Sequence, residues 1–521
     1  MTRGADVVMQ TLAAQGVKDI FALSGNQIMP LFDASLDAGI RLYHTRHEAA
    51  AVYMAEGYAQ LSRGLGVALV TAGAGLGNAV GPLLTARASD TPVLLLSGDS
   101  PVARDGHGAF QEMDQVGLTQ SLTKWSVRVS RADDLVEVIT KAARVALEGR
   151  PGPVHVSLPA DVLMAETVMS QAGPAQATDP TNVAGLRDWL DAAQRPIVVL
   201  GPALNATRQP DLATRLERST GAPVVVMESP RGLKDPSLGA LASVFADADR
   251  VLLLGKPLDF TLKFGAAASK AGWGVVNADR DEISRARGNC AERLTQSLMA
   301  DPVDVARGLA AGGASDRDGT WCETVYAACA KRDDTFGQGV IHPNDISSAV
   351  QTALEDVAAP VLVCDGGEFG QWAQAGVTAP SRIINGVSGA IGGGLCYAMA
   401  ARAANPNATV IAMMGDGTAG FHFAEFETAI RENLPFVAII GNDLRWNAEH
   451  QIQVRDFGAD RTHGCGLGEA RYDQAVAALG GFGAYVTKVE DLTDTLRQAI
   501  ASGKPACVNV MIDGQPAPVV A

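Results

Sequence analysis

Short apolar runs recur along the chain, separated by stretches whose apolar residues have helical spacing. The runs are GVALVTAG, TPVLLLSG, GPVHVSLP, PIVVLGP, APVVVME, RVLLLGK, GVVNAD, PVLVCDGG, TVIAMMGDG, FVAIIGND and ACVNVMID. Unbroken runs that close on Gly, Asp or Pro read as strands buried on both faces, and strands alternating with helices imply parallel sheets covered by helices. The rhythm breaks at 170–182 (SQAGPAQATDPTN) and at 310–320 (AAGGASDRDGT), which are small, polar and rich in Gly or Pro, as linkers are. The pattern predicts an α/β chain of three blocks, about 1–168, 183–309 and 340–521, each a mainly parallel sheet flanked by helices. No internal sequence repeat or low-complexity tract is visible.

Composition narrows the classes. The 521 residues are 47% hydrophobic and 19% charged, enough for about three packed domains. No apolar run approaches the roughly 18 residues that span a bilayer, so no membrane partner is expected. The N-terminal MTRGADVVMQTLAAQGV alternates polar and apolar residues and reads as a first helix, without the unbroken apolar segment of a signal peptide. A formal charge of −15 argues against a nucleic-acid surface and means that a polyanionic ligand must recruit countercharge. Seven cysteines without a CxxC pair read as reduced residues of a cytoplasmic protein, and eight histidines without HExxH spacing give no zinc site.

The segment GDGTAGFHF gives the first chemistry. It follows a predicted strand, and in an open parallel sheet ligands bind beyond the carboxyl ends of strands. Gly415 and Gly417 permit a tight turn, and N–H groups leading into a helix predicted over about 421–433 suit a phosphate. Asp416 offers the carboxylate oxygen that a hard cation takes together with phosphate oxygens. The next predicted strand, FVAIIGND, brings Asn442 and Asp443 to the same edge. Either aspartate alone could merely cap a turn; two acidic strand ends together favour a phosphate and metal site.

This pattern resembles the diphosphate–metal motif of the thiamine diphosphate (ThDP) enzymes. The resemblance implies that Mg²⁺ is held by Asp416, Asp443 and the carbonyl of Arg445, with Asp443 standing where the family has a second Asn. It also implies an essential glutamate, Glu48, within TRHEAAAVYMAEGYA; its position alone equally suits a helix's first turn. In the family that carboxyl acts on the aminopyrimidine, whose imino form takes the proton from thiazolium C2. GVALVTAGAGLGNAV resembles the family's TSGPGxxN turn, with Gly73, Gly75 and Asn78 in place. DGHGAFQEMDQVGLTQSLTKW matches a loop that brings a glutamine, Gln111, to the reactive end. NGVSGAIGGGLCYAMA matches the stretch that bends the cofactor, with Gly389 and the wedge Ile391. Glu368, Phe369, Thr418 and Trp446 complete the implied cofactor contacts. The family builds its site from domains of two subunits, so a homodimer or homotetramer is implied.

Within the family, TRHEAAA, AEGYA, GVALVTAG, TKW and NDLRWNAEHQ resemble the acetolactate synthase-like group and especially benzaldehyde lyase. Where that enzyme has a catalytic histidine, FALSGNQIMP places Gln27 beside Asn26, a poor proton shuttle at neutral pH. The implied reaction is decarboxylation, cleavage or carboligation of a 2-oxo acid or 2-hydroxy ketone through an enamine on the cofactor. The middle block has PRGLKDPSLGALASVFADADRV in place of the acetolactate synthases' FAD-binding stretch, which argues against FAD. Acetolactate synthase itself remains an alternative. So does a 2-hydroxyacyl-CoA lyase or oxalyl-CoA decarboxylase, although only nine residues follow ACVNVMI where that branch adds a lid. Outside the class stand an NAD(P) oxidoreductase, from an imperfect glycine fingerprint, and an inactive ThDP-fold protein.

Overall fold

The computed structural model describes residues 2–169, 183–384 and 388–520. The first predicted linker therefore lies outside the described residues. Three parallel sheets organise the chain, and each of the eleven apolar runs contributes a strand. The N-terminal sheet has six strands in the spatial order Arg41–His44, Asp19–Ala22, Gly66–Val70, Val93–Asp99, Val154–Pro159, Trp125–Arg128. The C-terminal sheet also has six, in the order Ser381–Ile384, Pro360–Asp365, Thr409–Gly415, Val437–Asn442, Ala506–Met511, Phe482–Val486. Numbered along the chain within each domain, both orders are 2-1-3-4-6-5. The duplication that is silent in the sequence is explicit in the topology.

The N-terminal inner strands Gly66–Val70 and Val93–Asp99 alternate between two cores, as the period of two requires. Val67, Leu69, Leu94 and Leu96 face outward into a core of that domain alone. Ala68, Val70, Val93 and Leu95 face a second core that continues into Val363, Ala412 and Ile440 of the C-terminal sheet. Two helices fill the space between the sheets: Glu48–Ser62 and Gly394–Ala404, each following the second strand of its domain. Small residues let them approach closely; a Cβ on Gly57 would lie 3.0 Å from both Tyr397 and Ala400.

The central sheet has five parallel strands in the order Val224–Val226, Pro196–Leu200, Arg250–Leu254, Gly272–Asn277, Leu294–Met299, and its core takes in Val325 from the helix Thr320–Ala330. At its switch point, where a dinucleotide would cross, a Cβ on Gly201 would lie 2.4 Å from the Gly255 carbonyl oxygen. Backbone touches backbone there, and Lys256 beside it is fully buried. Charged pairs tie this domain to the others: Arg150 to Asp90 (2.6 Å) and Glu282 (2.7 Å), and Arg382 to Glu228 (3.0 Å). No helix among the described residues is long and apolar enough to cross a membrane.

Candidate active site

The strands Thr409–Gly415 and Val437–Asn442 pair in parallel register, with Gly415 opposite Gly441, so both chains leave the sheet side by side. The first opens a four-residue helix, Asp416–Ala419. The longer helix begins only at Glu425 and ends at Arg431, shorter than the 421–433 span expected from spacing. The second strand turns through Asp443 and Leu444, the latter at φ 60°. Asn442 braces this turn: its amide donates to Asn509 (3.1 Å) and its oxygen accepts from the Leu444 N–H (3.2 Å). The Trp446 N–H donates to the Cys465 carbonyl and the Leu467 N–H to that of Leu444, so neither bond uses the Arg445 carbonyl.

These strand ends open on a cleft of about 220 Å³ lined by Gly415, Asp416, Gly417, Thr418, Asp443, Arg445 and Trp446. Glu368, Phe369, Gly389 and Ile391 line it from the facing loops. Glycines let large side chains sit on backbone. A Cβ on Gly417 would lie 2.7 Å from the Trp446 ring, and one on Gly441 2.7 Å from that of Phe369. Gly366, at φ 65°, leaves room for Thr418 and Ile391. Glu368 borders the cleft, but its carboxylate accepts from Arg231 (3.1 Å) of the central domain and from the Ala517 N–H (2.6 Å).

Asp416 is 2% exposed, and its Oδ2 has no hydrogen-bond partner. Burial raises its pKa to about 6, against the pull of N–H groups at Gly417 and in the 444–445 turn. Asp443 is raised to about 7, by burial first and then by the charge of Asp416. Two desolvated carboxylates that oppose each other, one with an orphaned oxygen, form a donor set that a divalent cation would satisfy.

A second cluster gathers in the N-terminal domain. Glu48 is the first residue of its helix, whose N-cap His47 accepts from the Ala49 N–H. Its carboxylate accepts from the Asn78 amide (3.0 Å). Gly73, at φ 59°, opens the next helix, and a Cβ on Gly75 would lie 3.4 Å from Glu48 Oε1. Thr71 donates to Gln27 Oε1 (2.6 Å), and Gln27 donates to Gln111 Oε1 (2.8 Å). Asn26 is exposed outside this chain of bonds. None of these residues lines the C-terminal cleft, although the Glu48 helix packs against the C-terminal domain and His47 stands 6.0 Å from the His422 ring.

Known proteins carry the same two domains. Family models described as thiamine pyrophosphate enzyme, N-terminal and C-terminal TPP binding domains, match residues 2–118 and 365–510. A probable acetolactate synthase of Mycobacterium bovis is 30% identical over 97% of this chain and 95% of its own length. The chain belongs to the thiamine pyrophosphate enzymes. Human 2-hydroxyacyl-CoA lyase 2 is 30% identical over 98% of this chain and 90% of that protein, and the Caenorhabditis elegans protein of the same name is 29% identical over 98% and 89%. As a ThDP enzyme of the acetolactate synthase-like group, the chain carries the acidic strand ends in its C-terminal TPP domain and the Glu48 cluster in its N-terminal one.

Three residues of these clusters escape sequence reasoning. Thr71 lies just beyond a strand end, where a lone polar residue before glycines is the only signal. Gln371 and Gln374, one turn apart on the helix Gly367–Gly376, line the cleft with buried amide oxygens that lack partners. Their i, i+3 spacing on a helix could have marked them as a shared face.

Proposed function

We propose that this ThDP enzyme, with Mg²⁺, breaks the bond beside the carbonyl of a small 2-oxo acid or 2-hydroxy ketone and releases CO₂ or an aldehyde. The remaining acyl unit is protonated or joined to a second carbonyl. The observation that carries this reading is the orphaned oxygen of Asp416, buried opposite Asp443 at adjacent strand ends. Asp416, Asp443 and the Arg445 carbonyl would hold the cation. Gly389, Gly415, Gly417 and Thr418 would meet the diphosphate, and Phe369, Ile391 and Trp446 would wall the rings. Glu48 would meet the aminopyrimidine, with Gly73, Gly75 and Asn78 around it, and Gln27, Gln111 and Asn26 would face the substrate. Bound ThDP supplies the nucleophilic carbon and the electron sink; the protein orients the reactants and excludes water.

The Glu48 cluster lies outside the cleft of its own chain, which supports a site completed by a second copy, in a homodimer or a homotetramer. The relatives' names cover synthesis and cleavage, in keeping with one site that can run a ligation or a lyase reaction. The test is a panel of pyruvate, benzoylformate, benzoin and oxalyl-CoA with ThDP and Mg²⁺. Release of CO₂ or aldehyde that vanishes without ThDP is expected. Turnover that needs only NAD(P), or none on any substrate, would overturn the reading.

A further inference from the structure

The hydrogen bonds from Thr71 to Gln27 and from Gln27 to Gln111 join side chains 44 and 84 positions apart. A glycine seats each link: a Cβ on Gly25 would lie 2.4 Å from Thr71 Oγ1, one on Gly98 2.8 Å from Gln27 Cβ, and one on Gly73 2.8 Å from Gln111 Cβ. Gln27 is buried, and Gln111 is held at φ 61°, in the left-handed region that disfavours a non-glycine residue. The bonds also have a direction. The single Thr71 proton goes to the Gln27 carbonyl oxygen, so the Gln27 NH₂ meets the Gln111 oxygen and the Gln111 NH₂ is the end left over.

We propose that Thr71 is a positioning residue that orients this relay so that Gln111 presents N–H donors to the substrate, and that the site therefore favours 2-oxo acids over 2-hydroxy ketones. The inference rests on the proposed function. A donor-only end suits the carbonyl and carboxylate oxygens of a 2-oxo acid. When that substrate loses CO₂, the bond to the carboxyl carbon breaks, its electron pair stays with the former carbonyl carbon, and no substrate proton is removed. When a 2-hydroxy ketone is cleaved, the carbinol O–H must give up its proton as the C–C bond breaks and the aldehyde C=O forms. That step needs a proton acceptor at the carbinol; Thr71, Gln27 and Gln111 supply none at neutral pH, so only the aminopyrimidine's imino form would be left to take it. Glu48, the carboxylate beside the relay, is assigned to the aminopyrimidine.

Steady-state kinetics with ThDP and Mg²⁺ on pyruvate, benzoylformate, acetoin and benzoin test this, alongside ThDP binding by calorimetry for each variant. The wild type should show kcat/KM at least about 100-fold higher for its best 2-oxo acid than for its best 2-hydroxy ketone. Thr71→Val should lower kcat on the 2-oxo acid by about 10- to 100-fold with KM and ThDP affinity little changed, and Thr71→Ser should restore it. Gln27→His, which installs an acceptor, should raise 2-hydroxy ketone cleavage at least about 10-fold. Wild-type kinetics in Thr71→Val, or a wild type that prefers benzoin or acetoin, would overturn the inference while leaving the proposed function intact. A wild type that binds no ThDP would strike the proposed function itself. Should Thr71→Val fail to fold, the wild-type substrate ratio and the Gln27→His result decide.

Discussion

Asp443 puts a second negative charge beside Asp416 where a neutral amide would make a quieter site. Both carboxyls have pKa values raised above the ordinary Asp value near 3.9. Raised folded-state values mean that ionising these groups costs folding energy. The cost is absent at low pH, begins above the unfolded value, and is complete once pH passes the folded values of about 6 and 7. Metal-free protein should therefore lose stability as pH rises from about 4 to about 7. Asp443→Asn should flatten that loss by on the order of 2 kcal/mol, seen as a higher melting temperature in chelator at neutral pH. The same variant should bind Mg²⁺ more weakly. A melting curve unchanged in chelator would mean that the two carboxylates do not oppose each other. The aspartates were legible in the sequence because each follows an apolar strand beside Gly or Asn, a local signal. Thr71 and the seating of its relay were not, because the partners lie in three separate loops.

Among the elements, the strands read from sequence are those with unbroken apolar runs, nearly all inside the sheets. The missed ones are mostly edges: Trp125–Arg128, Leu294–Met299, Ser381–Ile384 and Phe482–Val486 are each partly exposed and carry mixed residues. An edge strand covered on one side has no need of a continuous apolar run, so its pattern resembles that of a loop. Asp19–Ala22 is an inner strand, but too short to stand out. The contact between Glu48–Ser62 and Gly394–Ala404 was equally hidden, since it hangs on a buried polar pair. Glu56 accepts from Ser89 (2.6 Å) and from the Tyr397 hydroxyl (2.9 Å), and burial raises its pKa to about 7. By the same sign, the folded protein favours neutral Glu56, and the cost of its charge grows as pH rises from about 4.5 to about 7. Glu56→Gln should melt a few degrees above wild type at about pH 8, and the gap should close toward about pH 5. Equal melting at both pH values would show that Arg208 nearby offsets the burial.

Across the whole molecule, two domains of one topology pack through equivalent helices, and each carries half of the proposed site. Motifs disclosed the chemistry of the halves, and the resemblance implied that the halves come from two subunits; the packing that keeps Glu48 out of its own chain's cleft is tertiary and has no local signal. If the halves meet across two copies, chains carrying Glu48→Gln and chains carrying Asp416→Ala should complement. Neither variant alone should turn over substrate, while co-expressed chains should regain roughly a quarter of wild-type activity, because half of the dimers are mixed and each mixed dimer has one intact site. No recovery in verified mixed dimers would place both halves in one chain. At this scale the central proposal is a metal-bridged hold of the C-terminal cleft on its cofactor. Calorimetric titration of ThDP into the wild-type protein, with Mg²⁺ and then with chelator, tests it. The expected result is tight binding that needs the metal and is lost in Asp416→Ala; equal ThDP binding in chelator, or in Asp416→Ala, would contradict it.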